Sequence, residues 1–168
     1  AIVAKRSARP APPAHPTVRS TRARAPEAAA AAFRYVESSA LLAALLEGDT
    51  AALKALRVGG RRVTSALTFA EAARAVVRAR ATGRLTLAEE RAALRGLRVF
   101  ERRCDVVAVT DAVLTRAGRP FPVEPIRTLD AVHLATAELL GESPQLVTIV
   151  TQDSRIQDNA RALGYAVQ

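Results

Sequence analysis

The sequence predicts an α/β layered fold, with a parallel sheet of about four or five strands and helices flanking both of its faces. Two observations carry this. Short apolar runs (FRYV, RRVTSA, CDVVAV, LVTIV) alternate with longer stretches whose apolar residues recur at helical spacing. The strands are thus separated by helical crossovers, and such connections make parallel sheets covered on both sides.

The elements follow in chain order. FRYVESSALLAALLEG gives a first strand over Arg34 to Val36, which turns at Glu37 and Ser38 into an apolar helix ending near Gly48. Asp49 caps a short helix that runs to about Arg57. RRVTSA, residues 61 to 66, is the second strand, and Thr68 is expected to cap the long helix that stops at Gly83. Thr86 opens the next helix, with Glu89 and Glu90 in its first turn. CDVVAV is the third strand, Thr110 caps DAVLTRAG, and RPFPVEP is a proline-rich loop. TLDAVHLATA is a helix, QLVTIVTQD the fourth strand, Ser154 to Leu163 the last helix and YAV a fifth strand.

Composition narrows the class. The 168 residues suit one domain of ordinary size. A single cysteine, Cys104, allows no internal disulfide and is expected as a small buried residue opening the third strand. No apolar run approaches the ~20 residues of a membrane helix, so a cytoplasmic protein without membrane attachment is expected. The charge of +9 is uneven: residues 1–32 hold Lys5 and five arginines against Glu27 alone, in a Pro- and Ala-rich stretch without hydrophobic alternation. This segment is read as a flexible basic extension, with a nucleic-acid arm or a targeting segment as rival readings; residues 33–168 are the folded domain.

Four acids stand out on this scaffold. Glu37 ends the first strand and Asp153 the fourth; Glu71 and Asp130 sit near the starts of helices. Helices that return antiparallel to the strands begin at the sheet's carboxyl edge, where ligands of open parallel sheets bind. All four acids therefore converge on one rim. Carboxylates so close repel one another, and a divalent cation relieves the conflict; an all-oxygen set favours Mg²⁺ or Mn²⁺. Such a site suits phosphodiester hydrolysis. Each acid also has a plain structural role available, Asp130 and Glu71 as first-turn acids and Asp153 as a helix cap.

FRYVESSALL, FAEAARAVVRAR, TLDAVHLATA and VTQDSRIQDNARALGYAV, in this order, resemble the PIN-domain ribonucleases, especially the VapC-type toxins of toxin–antitoxin pairs. The resemblance covers about residues 33–168. It implies a PIN-like three-layer sandwich, Mg²⁺ or Mn²⁺ dependence, RNA as substrate, a homodimer and a small antitoxin partner. Glu37, Glu71, Asp130 and Asp153 would be the catalytic and metal-binding acids, with Ser39 and Thr151 as supporting hydroxyls. Glu37 departs from the pattern, because the first family acid is usually Asp.

Several residues remain around this set. His133 and Asp158 are candidates for an outer shell, with a structural histidine and a solvated acid as the plainer readings. Arg74, Arg78 and Arg155 are candidates for a phosphate track, joined by Arg80. With four Phe and two Tyr, base-stacking platforms are scarce, so recognition of RNA shape and backbone fits better. A phosphatase-like or receiver-like protein would pair acids at one strand end, and ESS and TQDS carry one each. The other class is a catalytically weak interaction module using the apolar helices LLAALLEG and AALKALRV. Since residues 1–32 show no core pattern, their deletion is expected to change stability by less than about 0.5 kcal/mol; a larger loss in thermal melts would refute that reading.

Overall fold

The computed structural model describes residues 33–168, in which five short strands are spaced by helices: β1 (Phe33–Val36), β2 (Arg61–Ser65), β3 (Asp105–Val107), β4 (Val147–Val150) and β5 (Ala166–Val167). The basic extension expected at residues 1–32 lies outside the described residues. All pairings are parallel, in the order β3-β2-β1-β4-β5. The helices are α1 (Ser38–Leu46), α2 (Thr50–Arg57), α3 (Ala66–Ala81), α4 (Leu87–Glu101), α5 (Asp111–Ala117), α6 (Thr128–Glu138) and α7 (Ser154–Ala162).

The period of two along a strand divides the core into two layers. Tyr35 of β1 lies opposite Ile149 of β4, and both face a cluster completed by Val113 of α5, Leu134 of α6 and Ile156 of α7. Val36 lies opposite Val150, and these face Leu41 of α1, Val76 of α3 and Leu97 of α4. The result is the three-layer α/β sandwich that the sequence predicted. Both central strands bury side chains on both faces, as a covered parallel sheet requires, with Arg34 and Thr148 as the polar members.

Most helix starts fall where capping chemistry puts them. Asp49 accepts from Ala51 N at 2.7 Å and Thr110 from Val113 N at 3.4 Å. Thr86 and Glu89 form a reciprocal capping box. Thr68 is the exception. Ser65 caps α3, accepting from Leu67 N at 3.2 Å, so the helix starts earlier than expected and Glu71 stands in its second turn. Thr68 is instead buried, its hydroxyl 2.8 Å from that of Thr64, which donates to the Val36 carbonyl. A β-branched polar residue that finds a buried partner inside the sandwich has no need of the helix end.

Cys104 also differs from expectation. It precedes β3 in a bend and is only partly buried, with its thiol 3.6 Å from the Glu101 carbonyl. The apolar run CDVVAV reads as a buried strand, but β3 is the sheet's edge and Val106 is 42% exposed. Desolvation, with Asp105 and Glu101 nearby, pushes the thiol up to about 11, which keeps it protonated and unreactive. Among the described residues no helix is long and apolar enough to cross a membrane.

Strand order creates the crevice. From β1 the chain runs to β2 and β3 on one side, then returns to β4 and β5 on the other. The reversal falls between β1 and β4, and ligands of such sheets bind at that point beyond the carboxyl ends. Removing side-chain mass from the core beneath it is costly: Ile149→Ala is expected to lose about 2 to 5 kcal/mol in urea unfolding. Cys104→Ala, at the edge, is expected to stay within about 0.5 kcal/mol of the parent.

Candidate active site

Glu37 is the first residue beyond β1, directly beside the end of β4, with its own N–H donating to the Val150 carbonyl at 2.9 Å. It is 4% exposed and serves as the N-cap of α1. Its Oε1 accepts from the Ser38 hydroxyl at 2.5 Å, and its Oε2 accepts from Ser39 N at 2.9 Å and the Thr151 hydroxyl at 2.8 Å. The Ser39 hydroxyl also donates to Oε2. The same two hydroxyls hold the following loop, since Ser39 Oγ accepts from Gln152 N at 2.8 Å and Thr151 Oγ1 from Asp153 N at 3.1 Å. The carboxylate folds back to the N-terminus of α1, where amide donors and the helix dipole favour negative charge.

Glu71 reaches the same crevice from α3. Its Oε2 lies 2.7 Å from Nε2 of His133, which is 3.8 Å from Oε1 of Glu37. On the other side of the imidazole, Nδ1 is 3.0 Å from the hydroxyl of Tyr35. One potential ligand atom each from Glu37, Glu71 and His133 lie within 4.8 Å of one another.

Asp130 comes from α6, whose N-cap is Arg127 with no side-chain capping bond. The aspartate is 8% exposed, and its Oδ2 finds no hydrogen-bond partner among the described residues. It is therefore not a cap. Burial raises its carboxyl above the ordinary value, the charges of Asp153 and Glu37 push the same way, and Arg127 and His133 oppose them. Asp153 is the N-cap of α7, accepting from Arg155 N at 2.8 Å through Oδ1.

The remaining candidates fall elsewhere. Asp158 is exposed on α7, with its carboxylate 3.2 Å from Arg161. Arg74 and Arg78 are exposed about one and two turns beyond Glu71, and Arg155 is exposed beside Asp153. Three residues that sequence reasoning passed over belong to the site: Ser38, Tyr35 and Arg127. Ser38 was visible only as the middle of ESS. Tyr35 is two residues before Glu37, and the strand period already put both side chains on one face.

The donor set fits a hard divalent cation. A buried carboxylate oxygen without a protein donor, beside further carboxylates that raise its proton affinity, is an arrangement a cation would stabilise.

Residues 34–162 match the PIN domain family. The chain is 40% identical over 139 residues to Ribonuclease VapC46 of Mycobacterium tuberculosis (strain ATCC 25618 / H37Rv), covering 79% of this chain and 94% of that protein. It is 36% identical over 137 residues to Ribonuclease VapC35 of the same strain, covering 79% and 93%. Among solved structures, VapBC2 from Rickettsia felis bound to a promoter DNA fragment aligns with a TM-score of 0.57 at 12% identity, over 81% of this chain and 97% of that chain.

In chelator, Asp130→Asn is expected to stabilise the protein near neutral pH, because it removes a charge the fold disfavours. A raised folded-state pKa stabilises the parent below the carboxyl's ordinary value, and this contribution is lost as pH rises through the raised value. The advantage of Asn should accordingly grow with pH and vanish in acid, which melting curves across that range will show.

Proposed function

The chain belongs to the PIN-domain family, and on that premise we propose that its acidic rim is the metal centre of an endoribonuclease, the VapC-type toxin of a toxin–antitoxin pair. One observation carries the reading: the buried, unpaired Oδ2 of Asp130 lies in the field of Asp153 and Glu37, a concentration of negative charge that a bound cation would relieve. The names of the two mycobacterial relatives point to RNA as the polymer that is cut.

A divalent ion, Mg²⁺ or Mn²⁺, when bound lowers the pKa of water and draws negative charge off phosphoryl oxygens. The chain's own residues hold the geometry. Asp130 offers Oδ2, Glu71 the oxygen turned away from His133, and Asp153 the oxygen not engaged with Arg155 N. Glu37 contributes a fixed negative charge, locked by Ser38, Ser39 and Thr151. Arg155 and Arg127 flank these acids and suit the phosphates on either side of the scissile bond, while Arg74 and Arg78 extend the basic track along α3. A second copy of the chain and a small antitoxin, implied by the family resemblance, complete the assembly. Light scattering after size exclusion tests the first of these.

Cleavage of a structured RNA is expected to require Mg²⁺ or Mn²⁺, to stop with chelator, and to fall at least about a hundredfold in Asp153→Asn or Glu71→Gln, while RNA binding persists. Millimolar Mn²⁺ should reverse the stability order of parent and Asp130→Asn, since only the parent gains a binding term of about 1 to 3 kcal/mol. Melting curves that ignore metal would leave the interaction-module reading instead. Glu37→Asp is expected to retain Mg²⁺-dependent cleavage or raise it. Glu37→Gln should lower cleavage and cost about 1.5 to 3 kcal/mol, because a neutral amide turns an NH₂ group toward donors that now bond a carboxylate. Denaturant titration beside the cleavage assay separates the two effects.

A further inference from the structure

We propose that Tyr35 and His133 form a hydrogen-bond strut that positions Glu71 for the metal, Nε2–H of His133 donating to Glu71 Oε2 while Nδ1 is held by the Tyr35 hydroxyl. This rests on the metal-centre reading and assigns roles to two residues that are not themselves ligands.

The direction follows from the acceptor at the end. Glu71 Oε2 lies 2.7 Å from Nε2, and a carboxylate oxygen has only lone pairs to present. An unprotonated Nε2 would set lone pair against lone pair at that distance, so the proton sits on Nε2. On the other side of the ring the atom 3.0 Å from Nδ1 is the Tyr35 hydroxyl, which can donate or accept. Tyr35 and His133 are each 1% exposed. Their rings meet edge to face at 73°, with centroids 6.2 Å apart, so the imidazole has little freedom to turn.

The consequence lies at Glu71. Its side chain is 21% exposed and would otherwise lose rotamer freedom on binding a cation. With Oε2 held by the imidazole N–H, the carboxylate leaves Oε1 for the ion. Hydrogen bonds of this outer kind orient the ligands they touch, and losing one costs about ten- to a hundredfold in metal affinity.

Two measurements on the full chain test the strut. Imidazole ¹⁵N–¹H correlation spectra with saturating Mg²⁺ should show His133 carrying a proton on Nε2. A bare Nε2, as in the Nδ1–H tautomer, overturns the proposal. Calorimetric titration with Mn²⁺ should find binding weakened about ten- to a hundredfold in His133→Leu and less so in Tyr35→Phe. In His133→Gln, whose amide can still donate to Glu71, binding should be largely restored. Leu binding like the parent overturns the strut, and so does Gln failing as fully as Leu, which would mark His133 as a direct ligand. Asp130→Asn is the reference. If it weakens Mn²⁺ binding while His133→Leu does not, the strut alone fails; if the parent binds no Mn²⁺, the metal-centre reading fails with it. Should His133→Leu not fold, the tautomer and Tyr35→Phe decide.

Discussion

Glu37 is a buried carboxylate at the point where the sheet reverses direction, and the rest of the site depends on how its charge is held. Three side-chain hydroxyls and one backbone amide converge on two oxygens. Those donors come from the start of α1 and the end of β4, so satisfying one acid joins two separate parts of the chain. Parallel pairing of Val36 with Val150 brings the two ends side by side, and the bond from Glu37 N to the Val150 carbonyl extends the ladder into the site. A charge this deep would be costly without such partners. With them it becomes a rigid anchor, and the loop carrying Asp153 is fastened to it through Ser39 and Thr151.

The other acids are less well served, and the contrast is informative. Asp153 has an amide, and Glu71 has an imidazole. Of the four acids at the rim, Asp130 keeps a buried oxygen without a hydrogen-bond partner among the described residues, in the field of two further carboxylates. Natural sequences break the rule of satisfied buried polar groups mainly where function requires it. Charge concentration is thus a local cost carried by the fold, offset by two apolar layers that grip the sheet from either side. His133 joins the two economies, since it belongs to the core by burial and to the rim by its bond to Glu71.

A second buried charge shows the same physics at the opposite end of β1. Arg34 is 4% exposed, and its guanidinium donates to the Ala55 carbonyl at 3.0 Å and the Gln168 side chain at 2.5 Å. Burial, then the neighbouring Arg62, lowers its pKa. Both acceptors are neutral, one from α2 and one from the residue after β5. One strand therefore carries an acid at its ligand-binding end and a buried base at the other.

The sequence by itself determined the layered parallel fold, because strand and helix periods and capping residues are local signals that tertiary packing had no reason to overturn here. It also singled out Glu37, Glu71, Asp130 and Asp153 as acids near strand ends and helix starts, and Ser39 and Thr151 as their neighbours by family resemblance. Other features are properties of three-dimensional neighbourhood. Strand order decided that CDVVAV lies on an exposed edge, so Cys104 escaped the core its composition suggested. A buried hydrogen bond to Thr64 took Thr68 from the cap role, which passed to Ser65. The link from Tyr35 through His133 to Glu71 spans β1, α6 and α3, whose residues are far apart in the chain. Hydrogen bonds of that kind leave no periodic trace, because they depend on the distance and direction of groups that only the packed sandwich brings together.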